Sequence, residues 1–274
     1  MVPLSFEFYP PKTDEQRAQL DRTASALKSR KPEYVSCTFG AGGSTLSYTP
    51  ETIQRLREHH GYEGAPHISC MGGTRAEIAA LLAQYRDMGC TRIVALRGDL
   101  PSGMGGAGDF RYASELVQFI RAETGDHFRI EVACYPEMHP QADDMSADLM
   151  NLKRKVEAGA NGAITQYFYN ADGYFRLRDD AARLGVDVPI VPGVMPISNY
   201  TLLKRFSDAC GAEIPRWIAK RMSAYGDDVE AIRAFGADVV SDLCRRLIAG
   251  GAPGLHVYTL NLSKPTLAVI DRLA

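Results

Sequence analysis

The stretch Leu4-Ser5-Phe6-Glu7-Phe8-Tyr9-Pro10-Pro11 puts one carboxylate inside an otherwise apolar strand that stops at two prolines. Alternation sends Leu4, Phe6 and Phe8 to one side and Ser5, Glu7 and Tyr9 to the other, so Glu7 stands near the strand's carboxyl end. Two readings fit such a residue. Tied to an Arg or Lys, it is a structural ion pair; taken out of water without a partner, its pKa rises and it becomes a proton donor near neutral pH. Polar residues recur at later strand ends: Thr38, His67, Ser69, Arg97-Gly98-Asp99, Tyr135, His139 and Gln166. Each has an ordinary hydrogen-bonding role on its own, but at the carboxyl ends of parallel strands they would share one mouth. On a helix after the fifth strand, Asp148, Asn151, Arg154 and Lys155 fall mostly on one face. That face is either solvated, with an Asn151–Lys155 contact, or a cationic surface that holds phosphates.

Several chemistries are not supported. No His-x-His or His-Glu-x-x-His pair is present, so no metal site is expected. No Gly-x-Ser-x-Gly elbow exists and no cysteine stands beside an obvious base. Gly103-Met104-Gly105-Gly106-Ala107-Gly108 matches the dinucleotide fingerprint in letters. It does not directly follow a strand, and the next predicted helix begins only around Arg111, so it is read as a surface loop.

These residues need elements to position them. Short β-branched runs at 4–9, 33–38, 66–70, 92–97, 129–135, 162–167, 188–192 and 254–258 alternate with amphipathic stretches. Thr74-Arg75-Ala76-Glu77 has the pattern of a capping box and marks the start of the third helix. Eight strand-helix units in 274 residues predict a (β/α)8 TIM barrel in a single domain, 1–274, with a helical excursion near 213–248 before the last strand. A doubly wound open sheet is the alternative. A net charge of −2 argues against nucleic acid or an anionic membrane as partner. The six cysteines form no C-x-x-C pair and read as reduced thiols, and the amino terminus shows no export signal, so a cytoplasmic location is expected.

Taken in order, Ser5–Pro11, Thr38-Phe39-Gly40-Ala41-Gly42-Gly43-Ser44-Thr45, Ala95–Pro101, Tyr135-Pro136-Glu137-Met138-His139-Pro140, Asn151–Lys155, Ile164-Thr165-Gln166-Tyr167-Phe168 and Pro192-Gly193-Val194-Met195-Pro196 resemble the methylenetetrahydrofolate reductase family. The resemblance runs through nearly the whole chain. It implies a barrel flavoprotein that binds FAD without a Rossmann motif and reduces 5,10-methylenetetrahydrofolate to 5-methyltetrahydrofolate with electrons from NADH or NADPH. By resemblance Glu7 is the general acid, Asp99 stabilises the cationic iminium beside the flavin, and Gln166 hydrogen-bonds pterin or nicotinamide. Phe206 stacks on either substrate, and Tyr258 also belongs to the substrate set. The implied FAD contacts are Thr38, His67, Arg97, Gly98, Asp99, Tyr112, Ala113, Tyr135, His139, Asp148, Asn151, Arg154 and Lys155. Bacterial relatives imply a homo-oligomer.

One departure stands near the end. After Tyr258-Thr259-Leu260-Asn261, Leu262 occupies a place where bacterial relatives often have an arginine that contacts the substrate's glutamate tail; Lys264 is either its substitute or a surface residue at a helix start. With the sequence ending at Ala274, control by S-adenosylmethionine through a further domain is not expected. Three alternatives stay open: a flavin-free methylenetetrahydrofolate reductase, a proline-dehydrogenase-like barrel flavoenzyme, and a non-catalytic folate-binding subunit.

Overall fold

Each predicted strand is followed by an amphipathic helix, and the computed structural model, which describes residues 2–39, 48–70, 73–98 and 108–273, winds these units into a parallel barrel. The strands are β1 (Leu4–Phe8), β2 (Tyr34–Cys37), β3 (Gly64–Ser69), β4 (Arg92–Leu96), β5 (Arg129–Cys134), β6 (Gly162–Thr165), β7 (Ile190–Val191), β8 (Gly193–Val194) and β9 (Leu255–Tyr258). Their order is β7-β6-β5-β4-β3-β2-β1-β9-β8. Because β7 and β8 are consecutive in sequence, the two ends of that order meet and the ring closes. The expected strand at 188–192 is therefore two short segments reaching Val194. Pro192 divides them, since it has no N–H to give the ladder, though its carbonyl still accepts from His256 N at 3.0 Å.

Closure also needs a glycine. A Cβ on Gly193 would lie 2.2 Å from the Thr165 carbonyl oxygen and 2.6 Å from the Tyr258 ring, so only hydrogen fits where these strands cross. The strand β3 starts at Gly64, earlier than expected, because Gly64, Ala65 and Pro66 register with Val35, Ser36 and Cys37. Thr38, Arg97, Tyr135 and Gln166 fall just past their strands, in the loops at the carboxyl rim.

The outer layer comprises α1 (Asp14–Leu27), α2 (Tyr48–Glu58), α3 (Arg75–Asp87), α4 (Ala113–Thr124), α5 (Met145–Glu157), α6 (Ala171–Arg183), α7 (Tyr200–Cys210), α8 (Arg216–Ala224), α9 (Val229–Ala249) and α10 (Ser263–Ile270). The capping box forms as expected: Glu77 N donates to Thr74 Oγ1 at 3.2 Å and Thr74 N to Glu77 Oε2 at 2.8 Å. The excursion is α8 and α9. Phe6 and Phe8 point outward into the buried layer between strands and helices, which leaves Ser5 and Glu7 on the barrel axis. Asp99, residues 40–45 and residues 103–107 of the glycine-rich stretch lie outside the described residues.

Candidate active site

The barrel axis holds two glutamates in different company. At the amino end Glu131, 3% exposed, accepts from Arg92 Nη1 at 2.7 Å and Arg129 Nε at 2.8 Å. This is the structural ion pair that Glu7 offered as one reading, and it occurs at a different residue. Glu7, one strand position from the carboxyl rim, has no Arg or Lys in ion-pair contact among the described residues. His67 Nε2 at 3.4 Å and His256 Nε2 at 3.6 Å both approach its Oε2. Ser5 Oγ and His256 Nδ1 share a hydrogen bond of 2.7 Å. Neither Nε2 has a hydrogen-bond partner among the described residues.

Burial takes the His67 ring out of water and pulls its pKa down to about 4, against the Glu7 charge, which favours the imidazolium, and with that of His256, which opposes it. Near pH 7 His67 is therefore neutral. The shift has a consequence for stability: between pH 6.5 and about 4 the unfolded chain binds a proton that the folded chain refuses. Stability contributed by keeping this ring neutral is present above pH 6.5 and is lost as the pH falls towards 4, by up to about 3 kcal/mol. Urea midpoints measured at pH 7.5 and 4.5 should fall more steeply for the wild-type chain than for His67→Gln; parallel declines would assign the acid sensitivity to other groups.

The turn after β9 fixes the end of β1. Thr259 Oγ1 donates to the Glu7 carbonyl at 2.6 Å, while Asn261 receives Tyr9 N at Oδ1 (3.1 Å) and donates from Nδ2 to Tyr9 O (3.0 Å). To make these bonds Leu260 and Asn261 adopt φ of 51° and 54°, a left-handed region that a leucine enters at a cost of about 1 kcal/mol. The carboxylate-bearing segment is thus clamped through its backbone on both sides of Phe8.

Around this centre Tyr258 donates its hydroxyl to the Thr165 carbonyl at 2.6 Å, and Gln166, next in the chain, receives Tyr167 N at its Oε1 (3.0 Å). Thr38 is tied by its N–H to Phe8 O at 2.9 Å. Gly98 takes φ 80°, which carries the chain from β4 over the rim. Phe206, on α7, is half-buried with the Arg205 guanidinium 5.5 Å from its ring centre. Lys264 is exposed in the first turn of α10, two residues after Leu262 at the helix N-cap.

Beside the rim lies a cavity of about 560 Å³ whose lining includes Arg97, Tyr112, Ala113, Tyr135, His139, Asp148, Asn151, Arg154 and Lys155. These are most of the residues implied as FAD contacts. Thr38, His67 and Gly98 are not in the lining, and His67 points instead at Glu7. Sequence reasoning did not name Ser114, Gln141 or Asp143, which also line it. The solvated-face reading of the helix is corrected in detail: Asn151 Oδ1 accepts from Arg154 Nη1 at 2.8 Å, and Lys155 turns inward to donate to Ala133 O at 2.5 Å. Arg97 donates to Gln141 Oε1. Three cations thus converge on one cavity, none ion-paired to a carboxylate among the described residues. Such a cradle suits a pyrophosphate. Asp148 is occupied differently, accepting from His139 N at 2.9 Å, which shapes the cavity wall.

His256 and Ser5 were also missed as site residues. The signal was available, because His256 precedes Tyr258 by two and must share its inward face. Among the described residues no three His, Cys, Asp or Glu side chains group to hold a metal ion, and no helix is long and apolar enough to cross a membrane.

Comparison with known proteins adds an independent line. The sequence profile described as methylenetetrahydrofolate reductase matches residues 2–274. A 5,10-methylenetetrahydrofolate reductase from Escherichia coli K12 is 41% identical over 272 residues, covering 99% of this chain and 90% of its own. A probable methylenetetrahydrofolate reductase (NADH) from Oryza sativa subsp. japonica is 37% identical, covering 98% of this chain but 48% of its own. Among solved structures, an uncharacterized protein from Clostridium thermocellum that binds two copies of 5-methyl-5,6,7,8-tetrahydrofolic acid superposes with a TM-score of 0.69 at 14% identity, covering 99% of this chain and 94% of that one; this likeness speaks for the fold.

Proposed function

Since this chain belongs to the methylenetetrahydrofolate reductase family, we propose that it reduces 5,10-methylenetetrahydrofolate to 5-methyltetrahydrofolate with NADH or NADPH as donor and FAD as the resident cofactor. The observation that carries the flavin part is the cavity with Arg97, Arg154 and Lys155 turned towards it and no carboxylate paired to them among the described residues. When bound, FAD supplies a carrier that takes hydride from the nicotinamide and returns it to the folate. Lys155 and Arg154 would neutralise its pyrophosphate, Asp148 and Asn151 would offer acceptors to its hydroxyl groups, and Tyr135 and His139 wall the cavity.

The folate must be opened before it can accept hydride. Glu7 gives a proton to the departing nitrogen of the five-membered ring, which leaves an electrophilic iminium. The two imidazoles beside it suit this role because they set no permanent cation against the carboxyl group. Asp99 supplies the anionic charge that stabilises the iminium, Gln166 orients the pterin, and Phe206 and Tyr258 bound its ring. A cytoplasmic setting keeps the six cysteines as thiols, and the enzyme works as a homo-oligomer.

The visible spectrum of the purified protein tests this reading. Flavin bands that bleach with anaerobic NADH or NADPH and return on adding methylenetetrahydrofolate are expected. Bands that bleach and stay bleached would move the substrate elsewhere; no bands after incubation with FAD would remove the flavin.

A further inference from the structure

His256 is fully buried on the barrel axis. Ser5 and Glu7 reach it from β1, Tyr34 stacks on it from β2 at 6.1 Å, His67 shares the Glu7 oxygen from β3, and Tyr258 of its own strand meets its ring edge-on at 5.3 Å. Arg92 lies over the Tyr34 ring at 4.1 Å and is committed to Glu131. One ring nitrogen is engaged and the other is not: Nδ1 has Ser5 Oγ at 2.7 Å, while Nε2 is buried, has no hydrogen-bond partner among the described residues, and lies 3.6 Å from Glu7 Oε2.

We propose that His256, bonded at Nδ1 to Ser5 and carrying its proton on Nε2, is a positioning residue that orients the Glu7 carboxyl group through Oε2. The inference rests on the reading of Glu7 as the acid. In a neutral imidazole the bond made by one nitrogen decides what the other carries. In that tautomer the Ser5 hydroxyl donates to Nδ1 and the Nε2 proton faces Oε2. Oε2 then acts as the acceptor oxygen, so the acid's own proton is confined to Oε1. The same N–H stabilises the carboxylate once that proton has gone to the folate nitrogen, so no tautomer change is needed during turnover. His67 Nε2 faces the same oxygen from β3 at 3.4 Å.

Three variants of the FAD-loaded enzyme test the assignment: His256→Asn, His256→Gln and Ser5→Ala. A Gln amide reaches the place of Nε2 and can still offer an N–H to Glu7; an Asn amide stops near Nδ1. His256→Asn should slow flavin reoxidation by methylenetetrahydrofolate by roughly tenfold or more and move the alkaline limb of its pH profile up by about one unit, because a donor favouring the ionised acid is gone. His256→Gln should stay within about threefold of the wild type with its limb in place, and NADH-driven flavin bleaching should persist in both. Equal loss in Asn and Gln with unmoved limbs, or parallel loss of bleaching, would make the ring a packing piece and overturn the proposal. If His256→Asn does not fold, Ser5→Ala, which removes one oxygen and keeps the ring, must still shift the limb upward; an unshifted limb there overturns it equally. Glu7→Gln separates the two ideas. Normal folate reduction in Glu7→Gln removes the acid and this inference with it, whereas loss in Glu7→Gln beside a wild-type His256→Asn removes this inference alone.

Discussion

Replacing Glu7 by Gln should lower the rate of flavin reoxidation by methylenetetrahydrofolate by about 10²–10⁴-fold while NADH-driven reduction of the same flavin stays within a few-fold of the wild type. The asymmetry follows from where the proton is needed. Hydride transfer from a nicotinamide to the flavin requires no acid at the folate ring, whereas opening that ring does. The fold should survive the change. Glu7 faces two imidazoles instead of a guanidinium, and His67 is kept neutral by its own burial, so Gln removes no ion pair and remains within reach of both rings. The contrast is Glu131, where a Gln would strand Arg92 beside an amide in a nearly closed environment. Stopped-flow absorbance at the flavin band, recorded for each half-reaction separately, reads the split. Equal slowing of both would point to a disturbed flavin site; a folate half-reaction at the wild-type rate would remove Glu7 from the acid's role.

The barrel was legible because its signals are local and repeated. Period-two runs such as Leu4–Phe8, capped helix starts such as Thr74, and unit spacing together require parallel strands, and the mouth residues follow from strand direction alone. What stayed hidden depended on contacts between distant units. Nothing in the sequence near Pro192 says that it interrupts a strand whose two halves pair with different neighbours, since that is a property of ring closure. His256 shares the inward face of Tyr258 by alternation, but the groups that face it, Ser5 and Glu7, lie some 250 residues earlier in the chain. The charged face of α5 shows the limit from the other side. Helical spacing allowed an Asn151–Lys155 contact, but the ammonium goes to the Ala133 carbonyl because α5 packs against its own preceding strand, a tertiary fact that periodicity does not contain. The place of Glu7 near its strand's carboxyl end is legible in the sequence, whereas the two imidazoles that face it in place of a guanidinium come from β3 and β9 across the barrel.

Lys155→Met should separate holding the cofactor from holding the fold. The ammonium of Lys155 donates to Ala133 O, and its removal from water pulls its pKa below the usual lysine value, with the charge of Arg97 pushing the same way and Cys134 and Asp148 opposing. No carboxylate is in ion-pair contact with it among the described residues, so in the cofactor-free protein the charge is desolvated without full compensation. Methionine keeps the length and apolar stem of the side chain and removes that charge. The cofactor-free variant should therefore melt no lower than the cofactor-free wild type. The loaded protein should behave oppositely, because a pyrophosphate placed between Lys155, Arg154 and Arg97 loses one of its charge-assisted partners. A loss of about 2–3 kcal/mol corresponds to roughly a hundredfold weaker FAD binding. Flavin fluorescence titration of apoprotein gives the affinity, and melting with and without FAD gives the linked stability, whose FAD-induced rise should shrink in the variant. Unchanged affinity would place the pyrophosphate away from Lys155, and a large drop in the melting point of the cofactor-free variant would make the Lys155–Ala133 bond a structural tie between α5 and β5.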